Sequence, residues 1–407
     1  MRLIVSCREV ERISRVFMPK LHHASITRVV LDTSSKDVNS DIQKYIAFRF
    51  RHIYALLVER AKEVNRFHQL RSEDDAVKEL AQQAKGLLIW AVAVCTFLKQ
   101  VPSETRLEAL LGRRIPDDAI QSLTMLYRVA LDLIVTEGQE NLENADIRRC
   151  IRDLLGAIVV AEVPPGLTLE AIGALVLKPM DPAGKTVYSK LTSVVEMSSE
   201  QKVLRLMYRS FDDFLQDKNR SGEEWFIDVE EHKRNLARVS LSSLNFFLRS
   251  WQPNATKDVS AQQCRDRIPA HICHYAVLGP AWHINSFNSD DFGAIEVLFD
   301  RHFLSWLEVI VTFGTRYLKQ FRNRIYDVKY WIQEIPQAGS NLRFGIDDAV
   351  EAADKIISSL LDSNAECDLY NLHPADIYPV LKLLPPKNVV RRRWEQHQIL
   401  NISAVSR

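Results

Sequence analysis

Along most of this chain the apolar residues recur three and four positions apart, the repeat of a helix with one buried face. The exception comes first. Leu3, Ile4 and Val5 form a short apolar run ending in Ser6-Cys7-Arg8, the pattern of a buried β-strand. Helical spacing then takes over. Ser40-Asp41-Ile42-Gln43 has the form of a capping box, in which the serine and glutamine satisfy backbone donors reciprocally. The helix it predicts sets Ile42, Tyr45, Ile46, Ile53, Tyr54 and Leu57 on one stripe. Ser72, followed by Glu73, Asp74 and Asp75, predicts the next N-terminus, with acids near its positive end. Gly86 predicts an interruption or cap. The apolar run Leu87–Leu98 has 12 residues. It would span about 18 Å as a helix, short of the roughly 20 residues a bilayer needs, and reads as a buried core helix. Further helices are predicted over 104–111, 119–136 and 146–161, the last with Ile147, Ile151, Leu154, Leu155 and Ile158 on its apolar face.

Pro164-Pro165-Gly166 breaks this rhythm. A helix starting near Thr168 carries Leu169, Ile172, Leu175 and Val176, and a Pro/Gly loop is predicted over 179–184. A second helix carries Val187, Leu191 and Val194. The polar turn 198–202 then leads into a short strand at 203–208. Helix, helix, then a strand or hairpin is the pattern of a small winged-helix unit. From about 229 the chain reads as helical again, with Leu236, Val239, Phe246 and Phe247 buried, and helices continue to about 361. The proline-punctuated stretch 371–394 reads as extended. No internal repeat is evident, and the predicted class is mainly α.

Composition narrows the function. A 407-residue chain with 46% hydrophobic and 26% charged residues has room for two to four domains with ordinary globular cores. With 53 Lys+Arg against 52 Asp+Glu, it lacks the basic excess of a dedicated nucleic-acid or membrane-surface protein. Cys7, Cys95, Cys150, Cys264, Cys273 and Cys367 show no disulfide-framework spacing, as in a reducing compartment. The opening residues lack a signal-peptide pattern, so the expectation is a cytoplasmic protein. Thirteen glycines are few for a nucleotide cradle.

The candidate chemistry is sparse. Residues 181–186, DPAGKT, resemble the end of a phosphate loop, but Pro179 stands where that loop needs its first glycine. Proline has no amide hydrogen and a fixed φ, so it cannot wrap a phosphate. His271, Cys273 and His274, with Cys264 and His283 nearby, are zinc-ligand types, yet they crowd one stretch instead of forming two spaced pairs, and core packing is the better reading. Arg391, Arg392 and Arg393 form one basic triplet in a neutral chain, read as solvated or partner-facing. No nucleophile–base constellation has informative spacing. Arg8, just after a strand, stands where a guanidinium could reach a nucleotide phosphate, although this stretch alone favours the alternative, a surface arginine after a strand.

Taken together these residues carry a resemblance. LIVSCREVERI, residues 3–13, resembles the sensor-one strand of NACHT-type signalling ATPases, particularly the fungal proteins whose ATPase module precedes WD repeats. KGLLIWAVAVCTFL resembles their helical subdomain, and CIRDLLGAIVVAEVPPGLTLEAIGALV the start of their winged helix. VLRLMYRSFDDFL is similar to their His-x-Ser-Phe-x-x-Phe-Leu signature, RIPAHICHYAVLGPAWHI to the helical region after it, and LKLLPPKNVVRRRW to the linker before the repeats. The resemblance implies the back part of a nucleotide switch, lying after the phosphate loop and magnesium-binding strand and before the WD repeats. Its layout would be an α/β-domain remnant at 1–60, a helical subdomain at 61–150, a winged helix at 151–228, an α-helical arm at 229–365 and an extended tail at 366–407. Ser6, Arg8 and Tyr208 would be its nucleotide-sensing residues, working only with a complementary half. Tyr208 stands where the family has histidine, so it can donate a hydrogen bond but carries no charge. The implied protein is not an enzyme by itself and binds no cofactor alone, with ATP or ADP and magnesium expected only in an intact switch. Its partners would be proteins, including copies of itself, with no nucleic acid and no membrane. The second helix this implies for the wing, 185–197, has only Lys185 and Lys190 as cations, thin for phosphate contacts. A helical protein-interaction module without nucleotide control is the alternative.

Overall fold

The computed structural model describes residues 35–63, 70–113, 117–137, 143–161, 166–176, 182–199, 202–251, 258–269, 272, 274–334, 340–363, 372–393 and 395–396. The predicted strand at Leu3–Val5 lies outside them. The protein is mainly helical, as the spacing predicts. Among the described residues the one sheet is a two-stranded antiparallel hairpin. The chain divides into two compact units, residues 1–95 with 102–122, and residues 96–101 with 123–407.

In the first unit, α1 (Lys36–Glu63) buries Ile42, Ile46, Phe50, Ile53 and Leu57. It begins one turn before the predicted box. Ser35 Oγ accepts from the Val38 amide at 3.2 Å, so Ser40 and Gln43 are exposed interior positions. A serine five residues upstream offers the same cap, and the longer helix adds bonds at little cost. Helix α2 (Glu73–Ala84) is capped by Ser72 as expected and closes through Lys85 and Gly86, both at positive φ. Helix α3 (Leu88–Gln100) is the apolar run, and α4 (Glu104–Leu111) is capped by Ser103. Polar side chains lock these elements. Arg71 reaches both Glu79 and Glu108, Gln83 Nε2 donates to the Leu110 carbonyl at 2.8 Å, and Trp90 Nε1 donates to the Ser122 carbonyl at 3.3 Å.

Helix α5 (Ala119–Thr136) follows the predicted span. Its 18 residues are apolar enough to cross a bilayer by length and composition, and half of that window is buried within the fold. In the second unit its Leu126, Tyr127, Leu131 and Ile134 are core residues. Next come α6 (Asn144–Val160), α7 (Leu169–Leu175), capped by Thr168, and α8 (Pro182–Leu191). The predicted loop at 179–184 therefore gives way to helix at Pro182. Proline suits a first helical position, where its missing amide would have no partner anyway. Val194, predicted on that helix, sits in the turn after it.

That turn opens the hairpin. Strand β1 (Val195–Met197) pairs with β2 (Leu204–Leu206), Glu196 opposite Arg205. A backbone bridge joins Thr168 to Val203, and the Leu204 amide donates to the Leu167 carbonyl at 2.9 Å. Helices α9 (Arg209–Leu215) and α10 (Lys218–Trp225) follow.

The remainder is one helical arm around a shared core. Its elements are α11 (Val229–Ser250), α12 (Ala261–Asp266), α13 (His274–Trp282), α14 (Phe292–Arg301), α15 (Phe303–Thr312), α16 (Thr315–Glu334), α17 (Ser340–Ser363) and α18 (Ile377–Leu381). Helix α11 buries Leu236, Leu241, Leu244, Phe247 and Leu248, but Val239 and Phe246 are exposed, against expectation. Phe246 and Phe247 are adjacent and so about 100° apart around the axis; one stripe cannot bury both. The tail also departs from its extended prediction. His373 caps a short 3₁₀ turn, Pro374–Asp376, with Pro374 starting it, and α18 follows directly. Leu372, Ile377, Tyr378, Leu381, Leu384 and Val390 enter the arm's core. Prolines at first-turn positions begin these helices rather than forbid them.

Candidate nucleotide-sensing site

Of the three residues the resemblance nominates, Ser6 and Arg8 lie outside the described residues. Tyr208 is described. It lies two residues after the end of β2, sits at extended φ/ψ as the N-terminal flank of α9, and is buried.

The sequence after it folds for packing. Phe211 and Phe214, three apart on α9, both face Tyr127 of α5, with ring centroids 4.9 and 5.5 Å from it. The hydroxyls of Tyr127 and Ser210 share a hydrogen bond at 2.8 Å. Asp212 is 2% exposed and accepts from Arg209 at 2.7 Å, while Arg209 itself is 63% exposed and also meets Asp213. Helix α10 continues the dock. Arg220 donates Nε to Thr124 Oγ1 at 3.0 Å with its guanidinium over the Phe214 ring, and Trp225 Nε1 donates to Asp132 at 3.2 Å. Arg128 Nε donates to the Arg220 carbonyl at 2.7 Å beside Gly222, whose φ of 72° suits glycine. The serine-phenylalanine signature thus clamps the hairpin–helix junction onto α5. Within it the Ser210 hydroxyl is already bonded to Tyr127 and the exposed Arg209 guanidinium to Asp212 and Asp213, and no nucleophile and base are arranged.

The other sequence candidates resolve as structure. Cys264 and His283 are buried; burial, then Lys233, pushes His283 down to about 4, leaving a neutral imidazole. His271 and Cys273 lie outside the described residues. Among the described residues no group of three or more His, Cys, Asp or Glu side chains is placed to hold a metal ion. Lys185 falls on α8. In the basic triplet, read as solvated or partner-facing, Arg392 is exposed, whereas Arg391 donates to the Leu384 carbonyl at 2.7 Å and Arg393 binds the Asp300 carboxylate and carbonyl.

Two features have no motif and escaped the sequence reading. On α6 and α11, Asp153 and His232 come together beside Gly156. Burial raises the Asp153 carboxyl and lowers the His232 imidazole, each partly offset by the other's charge. In the arm, Glu308 is fully buried and accepts from Trp251 Nε1 at 2.8 Å and from the Tyr378 hydroxyl. Its partners lie 57 and 70 residues away in sequence, out of reach of any local pattern. No protein family, curated protein or solved structure matches this chain.

Proposed function

We propose that the chain is the regulatory, non-catalytic portion of a NACHT-type, fungal-like nucleotide-dependent signalling switch, acting in the cytoplasm through protein partners and self-association. In this reading 151–228 is the winged helix and 229–365 the helical arm, with Tyr208 turned toward a nucleotide that upstream residues would hold with magnesium. One observation carries the reading. Helix α6, a short extended segment at Thr168, helices α7 and α8, and the hairpin β1–β2 follow in the order of a winged helix, with Val203 beside Thr168 so that β2 lies between the other two segments. The serine-phenylalanine signature follows immediately as α9, where the resemblance places it. Such a unit can be repositioned as a body, which suits a two-state switch.

The test is the intact mass of the endogenous protein, captured with an antibody against residues 230–250. A species well above 46.8 kDa, the mass of this chain, is expected. A species at 46.8 kDa would overturn the switch reading and leave the second one, a helical module that binds a protein without nucleotide control. The exposed Phe246 on an otherwise well-buried helix favours that second reading.

A further inference from the structure

The outer face of α11 bears a row that the arm's core does not use. Val239, Ser242, Phe246 and Arg249 follow at steps of three and four, so they share one side of the helix. Phe246 is 76% exposed and Val239 37%. From Asn235 to Ser250 the helix holds no acidic residue.

The end of the row is cationic because of how α11 lies on α14. Arg238 donates to Asp291 at 2.7 Å, and Asn245 donates to the Ala294 carbonyl at 2.8 Å, so the two helices run side by side in the same direction. That register points Arg249 along α14 toward the α14–α15 junction, where Arg301 and His302 stand. Burial, then the charges of Arg249 and Arg301, lowers the His302 pKa, as three converging groups should. Arg238 and Arg393 are tied to Asp291 and Asp300. Arg249 and Arg301 have no ion-pair partner among the described residues. Phe246 thus stands one turn from Arg249 on the same side of α11, an exposed aromatic next to a guanidinium without an ion pair.

We infer that this face docks an amphipathic helix of a partner protein, its apolar side chains covering Val239 and Phe246 and a carboxylate meeting Arg249 and Arg301. Aromatic and arginine anchors dominate such interfaces, and the charges set orientation and register. The inference is independent of nucleotide sensing.

The probe is a displayed library of random peptides of about 16 residues, enough for four helical turns, selected on the intact chain. Enriched peptides are expected to pair apolar residues at helical spacing with Asp or Glu at one end. Phe246→Ala, Arg249→Glu and Arg301→Glu are each expected to weaken a resynthesised peptide about tenfold or more. Arg316→Glu, on the exposed side of α16, should leave it unchanged. All four positions are exposed, and circular dichroism checks that the variants fold. An empty selection, peptides without acids, or binding indifferent to Phe246→Ala and Arg249→Glu would overturn the proposal. So would a Phe246-dependent dimer in sedimentation, which would make the occupant a second copy of the chain.

Discussion

The imidazole of His232 lies against the bare backbone of Gly156. A Cβ at position 156 would fall 2.3 Å from Nδ1 of His232 and 2.4 Å from Cε1. Gly156 is interior to α6, where alanine is favoured by about 1 kcal/mol. The absent side chain is what lets α11 approach α6 so closely.

Gly156→Ala is therefore expected to destabilise the chain by about 1–3 kcal/mol despite its helix propensity. His232→Ala in the same molecule should remove the clash and leave the propensity gain, so that the double variant is more stable than Gly156→Ala alone. A double-mutant cycle by urea denaturation reads this directly. Equal stability of the two would mean that His232 moves aside freely.

Glu308 joins three elements: Trp251 at the end of α11, α15 itself, and Tyr378 on α18. Glu308→Ala leaves an indole N–H and a phenol O–H buried without their acceptor. A loss of about 2–4 kcal/mol is expected, with Tyr378→Phe costing about 1 kcal/mol. Protease cleavage within 372–393 should accelerate in Glu308→Ala first, since α18 is the shortest element the carboxylate holds.

The pH dependence has a defined sign. His283 is neutral in the fold, with its pKa pushed down to about 4, whereas an unfolded histidine takes a proton near 6.5. Its contribution is complete above pH 6.5 and is lost as the pH falls from there to about 4. The difference of roughly 2.5 pH units corresponds to about 3 kcal/mol. His232 and His302 are lowered too and act in the same direction. Asp153 is raised and opposes them. Comparing the wild type with His283→Gln isolates the His283 share: the variant's stability should fall less steeply between pH 6.5 and 4. Parallel curves would contradict the assignment.

Cys95 and Cys264 are free, buried thiols, and Cys150 is buried as well. Burial pushes Cys95 up to about 12, against a smaller pull from Arg49, so almost no reactive thiolate exists at neutral pH. An aromatic disulfide reagent should leave Cys95 and Cys264 unmodified in the native protein and titrate them on addition of denaturant. Fast native labelling at Cys95, mapped by mass spectrometry, would show that α3 opens.

What the sequence revealed depended on where the deciding contacts lie. Helices α4 and α5 match their predicted bounds because their signals are local: Ser103 caps the Arg106 amide, and Asp118 accepts from the Gln121 amide at 2.7 Å. The hairpin was half visible, as the polar turn at 198–202 and β2 read clearly while three-residue β1 did not. Which of Phe246 and Phe247 is buried was not legible, because their neighbours on α14 are set by packing some fifty residues later. The prolines of 372–393 misled for a related reason, since a first-turn proline and a helix-breaking one look alike until the cap is known. At the candidate site the motif located Tyr208 and the α9 phenylalanines that pack on Tyr127. It could not show Asp153 beside His232, or the charges of Arg249 and Arg301 both acting on His302, because each pair comes from two different helices.

The Glu308 junction also orders events during synthesis. Its carboxylate emerges 70 residues before the Tyr378 hydroxyl that completes its coordination, and Val259 waits through 114 residues for His373. At about 5–20 residues per second, Glu308 spends roughly 4–14 s without this donor. Over that interval the nascent arm exposes the apolar seat of α18, an opening for chaperones that closes once 372–393 has been made.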